Sequence, residues 1–265
     1  MSNSIWAILV GSKIAENALV LSHGSTRTLR EIYPSIEHIG RMNLRSEEAS
    51  RLLLSSETEL CVMGLSQSIA VHEDFVKTCL SWLVPIGRVS VTKLAGASTN
   101  NVHETLGDAA GRRVDPTTLK LFHLTRLVRN CYIHSDGVVS DGLVTFMTGM
   151  TRTQRASWER LSRRKFLVPT SGERFPVDVL TMVAALAVQK RLAYEVNLCL
   201  QRAIPKRNWA DLAVSDYFSI RGSKSVRDPA AARALIRYAG NRFAPIGLSE
   251  ITLRAALTRY ALAEK

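Results

Sequence analysis

With 265 residues and 46% hydrophobic content, the chain suits one main domain with a smaller appended unit and is apolar enough to exclude a wholly disordered protein. The formal net charge of +12 lies entirely in residues 101–265, which hold 26 basic and 14 acidic side chains, while residues 1–100 hold 9 of each. A basic surface of this kind concentrates polyanions, and 26 Arg against 9 Lys favours bidentate contacts to phosphate or carboxylate, with a generic solubility charge as the alternative.

In chain order, the first residues, MSNSIWAILVGSKIAEN, carry neither the basic start nor the cleavage site of a secretory leader. Ser46-Glu47-Glu48 opens a helix with acidic residues in its first turn, followed by Leu52, Leu53 and Leu54. From Glu59 to Val84 apolar residues recur mostly at three- and four-residue steps, with His72 inside the one longer step from Ile69 to Phe75. That spacing predicts a long helix with one buried face. Asp115-Pro116-Thr117 is a capping residue followed by proline at the first helical position. The helix it starts should run through Leu121, Leu124, Val128 and Cys131 and stop at Ser135-Asp136-Gly137.

Phe166-Leu167-Val168 and Arg174-Phe175-Pro176-Val177, joined by a turn-rich segment, predict a small β-hairpin. Asp178 then caps a helix reaching Ala203, ended by Pro205. Its apolar run, Val179 to Val188, is half of the roughly 20 residues that a membrane-spanning helix needs. Beyond Lys206 come a basic loop (Arg221, Lys224, Arg227), a helix from Asp228-Pro229 to Gly240, and another from Ser249 to the C-terminus. The expected fold class is all-α: a helical bundle over 1–205, with a small β-hairpin, and a basic helical C-terminal extension over 206–265. The four cysteines are far apart and form no CxxC pair, which argues for a reduced, soluble, cytoplasmic protein.

Arg129-Asn130-Cys131-Tyr132-Ile133-His134 carries the functional expectation. Cleaving RNA through its own 2′-hydroxyl needs a group that moves protons near neutral pH and a fixed cation for the charge developing on the phosphate. Histidine, with an ordinary pKa of about 6.5, supplies the first, and arginine the second. No cofactor or metal is expected, since the six histidines are scattered and no carboxylate cluster is visible. Arg and His near a helix C-terminus also have an ordinary reading as partners of the exposed carbonyls. On an ideal helix Arg126, Asn130 and His134 share a face, whereas Arg129 is about 140° from His134. The pair therefore meets if the last turn unwinds, if the long Arg side chain wraps around, or if a two-fold partner shares the cleft.

The segment Phe122 to Val139, with its Arg-Asn-x-x-x-His pattern and a following glycine turn, resembles the signature of bacterial HEPN proteins. The similarity covers 18 residues as a motif and residues 45–205 as an order of elements. The resemblance implies an up-and-down helical bundle, usually a homodimer. It also implies a metal-independent endoribonuclease of toxin–antitoxin or phage-defence type that leaves a cyclic phosphate and works with an antitoxin or defence-system partner. Arg129 and His134 match the motif's Arg and His, and Asn130 its polar second position. Related bundles place an acidic residue beside the motif Arg, a place that Glu73 would take; the ordinary alternative is an exposed carboxylate.

Further RNA contacts are expected from Arg126, from Tyr132 stacking on a base, with a place in the bundle core or dimer interface as its alternative, and from the run Arg152, Arg155, Arg160, Arg163, Arg164 and Lys165, with Trp158 as a stacking aromatic inside it and a solvated helix face as the alternative. Two other readings stand beside the nuclease. One is a non-catalytic HEPN-like module that binds RNA or a partner; the other is a DNA-binding regulator using the C-terminal helices as a helix-turn-helix.

Overall fold

A computed structural model describes residues 2–22, 24–221 and 229–263; Lys224, Arg227 and the expected cap Asp228 lie outside them. Every regular element among the described residues is helical: α1 (Ser2–Val20), α2 (Leu29–Ile32), α3 (Ser46–Ser81), α4 (Val91–Ala95), α5 (Val102–Ala110), α6 (Pro116–Ser135), α7 (Asp141–Thr148), α8 (Arg152–Ser162), α9 (Val179–Ala203), α10 (Lys206–Arg221), α11 (Pro229–Arg242) and α12 (Glu250–Ala263), with two short 3₁₀ turns. The chain is all-α, as its periodicity predicts. No helix among the described residues is long and apolar enough to cross a membrane.

Two compact units are present, Met1–Asp74 with Asp115–Ala193, and Phe75–Val114 with Tyr194–Lys265. Helices α3 and α9, of 36 and 25 residues, each contribute residues to both units.

In the first unit, α3 buries Cys61, Val62, Leu65 and Ile69, α6 buries Leu121, Phe122, Leu124 and Val128, and α9 buries Met182, Ala184, Ala185 and Val188. His72 fills the long step in the α3 pattern, being 6% exposed with its ring 5.3 Å from that of Phe122. Burial pushes its pKa down to about 4. Gln189 Nε2 donates to Ser68 Oγ at 3.0 Å, which satisfies two buried polar groups between α9 and α3.

The predicted ends of α6 are present. Asp115 accepts from the Thr118 backbone N–H at 2.9 Å, and Pro116 is the first helical residue. Asp136 and Gly137 both turn left-handed, and Gly137 N–H returns to the Cys131 carbonyl at 3.0 Å. A Cβ on Gly137 would lie 2.9 Å from the Tyr132 ring and 3.1 Å from Arg174 Cγ. Gly137→Ala is therefore expected to cost about 1–3 kcal/mol of stability, from the left-handed backbone and this crowding. Urea unfolding measures it, and an unchanged midpoint would show that the turn accepts a side chain.

The expected hairpin does not form, because its two arms do not pair with each other. Residues 172–175 instead run against the chain leaving α6. Val139 N–H donates to the Glu173 carbonyl at 2.8 Å, and Phe175 N–H to the Gly137 carbonyl at 2.9 Å. Only an isolated bridge, Val138–Arg174, results. Burial explains the difference: Phe175 and Val177 are 8% and 2% exposed, whereas Leu167 is 75% exposed. The arms have no common apolar face to cover.

The second unit contains a helix that the sequence analysis does not separate, α10. Its Ala210, Ala213, Val214, Tyr217 and Phe218 pack with Leu235 and Ala239 of α11 and with Leu253 and Ala256 of α12. Arg259 of α12 donates through Nε to Asp211 of α10 at 3.0 Å.

Candidate nucleic-acid interface

The C-terminal half of α6 presents the candidate residues of the first unit. Val128 and Cys131 point into the core, so the helix is anchored on that side and Arg129, Asn130 and His134 are displaced from it. Arg129 is half-buried and donates through Nη1 to Asn130 Oδ1 at 3.1 Å. Its Nε is enclosed without a hydrogen-bond partner. Neighbouring Asn130 thus restrains a guanidinium whose long side chain would otherwise sample many rotamers. His134 is exposed on the last turn.

Because α6 remains α-helical through Ser135, unwinding before His134 is removed as a way to join the pair. About 140° of helix rotation separates Arg129 from His134. Among the described residues no hydrogen bond or ion pair links them. The structure joins Arg129 to Asn130 and leaves His134 facing solvent.

The remaining candidates divide by their partners. Tyr132 is half-buried and held by two protein partners. Its hydroxyl donates to the Phe175 carbonyl at 2.5 Å, and the Arg174 guanidinium lies 5.7 Å from its ring centre; burial raises its pKa. Arg155 donates through Nη2 to the Thr148 carbonyl at 2.6 Å and sits 5.6 Å from the Phe166 ring centre. Arg164 is ion-paired with Asp178, the cap of α9. Both are structural arginines before they are ligand contacts.

Arg152, Arg160, Arg163 and Lys165 are exposed, and among the described residues none of these four forms an ion pair. Arg126 is half-buried on α6. Glu73 is half-buried on α3, one residue from the His72 that packs on Phe122.

Trp158 is 7% exposed, so it is not an outward aromatic within the strip. It lines a cavity of about 570 Å³ that also borders Arg164, Lys165, Phe166 and Arg174. Arg174 escapes the sequence analysis because the hairpin expectation puts it on a strand. It donates to Asp136 Oδ1 at 3.1 Å, with Glu59 at 4.0 Å, and so fixes the chain just beyond α6.

The cysteines are unsuited to nucleophilic work: all four are buried and free, and burial pushes the Cys61 and Cys79 thiols up to about 12. Among the described residues no three His, Cys, Asp or Glu side chains gather into a metal-holding group. What α6 offers is a solvent-facing imidazole, a restrained guanidinium and cations close by in sequence, on α8 and just after it. No family model, curated protein or solved structure matches the chain.

Proposed function

We propose that the protein is a metal-independent endoribonuclease of HEPN type, acting in the cytoplasm as a homodimer under the control of an antitoxin or a defence-system partner. The observation that carries this reading is the disposition of α6: Asn130 holds the Arg129 guanidinium at 3.1 Å, and His134 is exposed one turn further on. The Arg-Asn-x-x-x-His resemblance supplies the reaction class. In that reaction His134 takes the proton of an RNA 2′-hydroxyl, whose oxygen attacks the adjacent phosphorus. The 5′-oxygen leaves and gains a proton from water, and the His134 imidazolium gives its proton back to solvent, so the products are a 2′,3′-cyclic phosphate and a 5′-hydroxyl. Arg129 neutralises charge on the phosphate oxygens, and Arg152, Arg160, Arg163 and Lys165 hold the strand through its backbone.

Single-stranded RNA incubated in EDTA with wild-type protein and with His134→Ala tests the reading. Cyclic-phosphate products from wild type alone are the expected result, and equal inactivity of the two would overturn it. The non-catalytic RNA-binding module has one observation in its favour, the lack of any bond joining Arg129 to His134 within the described chain. Wild-type RNA binding without cleavage would select it.

A further inference from the structure

The second unit contains a cavity of about 500 Å³, within the range of roughly 300–1,000 Å³ typical of small-molecule sites. We infer that this cavity is a binding site for an adenine base, presented by a free nucleoside or by an RNA strand. Its aromatic side is formed by Trp82, Trp209 and Phe243; the Trp82 and Trp209 ring centres are 5.9 Å apart, and those of Trp209 and Phe243 are 6.1 Å apart. Aromatic surface of this kind favours a flat ring, which gains contact on its faces without losing internal rotations.

Polar groups then narrow the class. Asn197 and Gln201 line the cavity from one face of α9, a single turn apart. Each amide offers both a donor and an acceptor, the pattern that pairs bidentately with the N6/N7 edge of adenine. Trp209 lines the same cavity while being 5% exposed, so the part of its ring that meets the cavity is held in one orientation by its surroundings.

The charged groups lining the cavity favour a neutral ligand. Arg242 Nε faces Asp216 Oδ2 at 2.8 Å, and the Tyr238 hydroxyl donates to the same carboxylate oxygen at 2.5 Å. Arg242 is thus already matched by an anion, so no phosphate is needed to balance it.

The site is independent of the nuclease reading, and its test uses binding alone. The full chain is titrated with adenosine, guanosine and a short adenine-containing single-stranded RNA, following tryptophan fluorescence and the Trp209 indole N–H resonance. Adenosine is expected to bind saturably, to shift that resonance, and to bind more tightly than guanosine. The exposed pair Asn197→Ala/Gln201→Ala is expected to weaken it about tenfold or more, as two lost hydrogen bonds would. Trp82→Leu provides a second variant that removes one aromatic wall and is expected to weaken binding likewise.

If only the RNA binds, and the amide substitutions abolish that shift, the site stands and takes its base from a strand. Failure of adenosine and the RNA alike to move the resonance would overturn it. So would binding that both variants leave unchanged, or an equal affinity for guanosine.

Discussion

Equal amounts of Arg129→Ala and His134→Ala protein, mixed and allowed to exchange subunits, are expected to regain about a quarter of wild-type RNA cleavage, if a dimer shares its cleft in trans. Each variant alone should be about 10²–10⁴-fold less active, the usual contribution of a positioned proton-transfer group. Helix α6 stays regular to Ser135, so five residues put Arg129 and His134 about 140° apart, and Arg129 is already engaged by Asn130. A cleft that needs both groups is most simply completed by one from each protomer. Half of the mixed dimers are then heterodimers, and each has one cleft with both native residues and one with neither. No recovery, with native mass spectrometry showing the heterodimer, would place both groups in one protomer or remove the nuclease reading. A strict monomer at high concentration would remove the shared cleft directly.

Local signals in the sequence carry much of the first unit. Asp115-Pro116 and Asp136-Gly137 mark both ends of α6 because capping and left-handed termination depend on single residues. The three- and four-residue steps of α3 mark its buried face, and His72 continues that face because a neutral imidazole can pack as an aromatic ring. Asp178 marks the start of α9 for the same reason as Asp115.

Non-local partners explain what is not legible. Residues 166–177 have the composition of a hairpin, but Gly172, Glu173 and Phe175 find their backbone partners at Gly137 and Val139. Arg155 and Arg164 read as free cations, yet a carbonyl of the preceding turn and the cap of α9 engage them. The spacing of Trp209, Ala213 and Tyr217 contains α10, although only a basic loop (Arg221, Lys224, Arg227) is expected between Lys206 and the helix opened by Asp228-Pro229. The aromatic cavity draws on positions 82, 209 and 243, which no short window brings together. The proposed site itself rests on a six-residue pattern, and a regular α6 leaves its Arg129 and His134 about 140° apart, so the pattern alone does not join them.

Lowering the pH from 7 to 5 is expected to reduce the stability of the folded chain by roughly 2 kcal/mol through His72 alone, rising to roughly 3 kcal/mol by pH 4. Burial holds the folded-state pKa near 4, against an ordinary value of 6.5. The unfolded chain therefore binds a proton as the pH falls through about 6.5, while the folded chain stays neutral until about 4. The contribution is complete above 6.5, declines between those values, and is absent below them. Asp115 and Glu31 act in a lower window. Burial pushes the Asp115 carboxyl up, but the Thr118 hydrogen bonds outweigh it and leave it below its ordinary 3.8; the Thr28 backbone N–H holds Glu31 below 4.5. Both carboxylates stabilise the fold above those values and lose that effect only as the pH falls further. Urea unfolding of wild type and His72→Leu at pH 7, 6 and 5 separates the two windows. The wild type should lose stability across this range while the variant, apolar at the same place against Phe122, should show a slope smaller by that amount. Parallel slopes would mean that the imidazole is protonated in the folded state and that α3 opens to solvent where it meets α6.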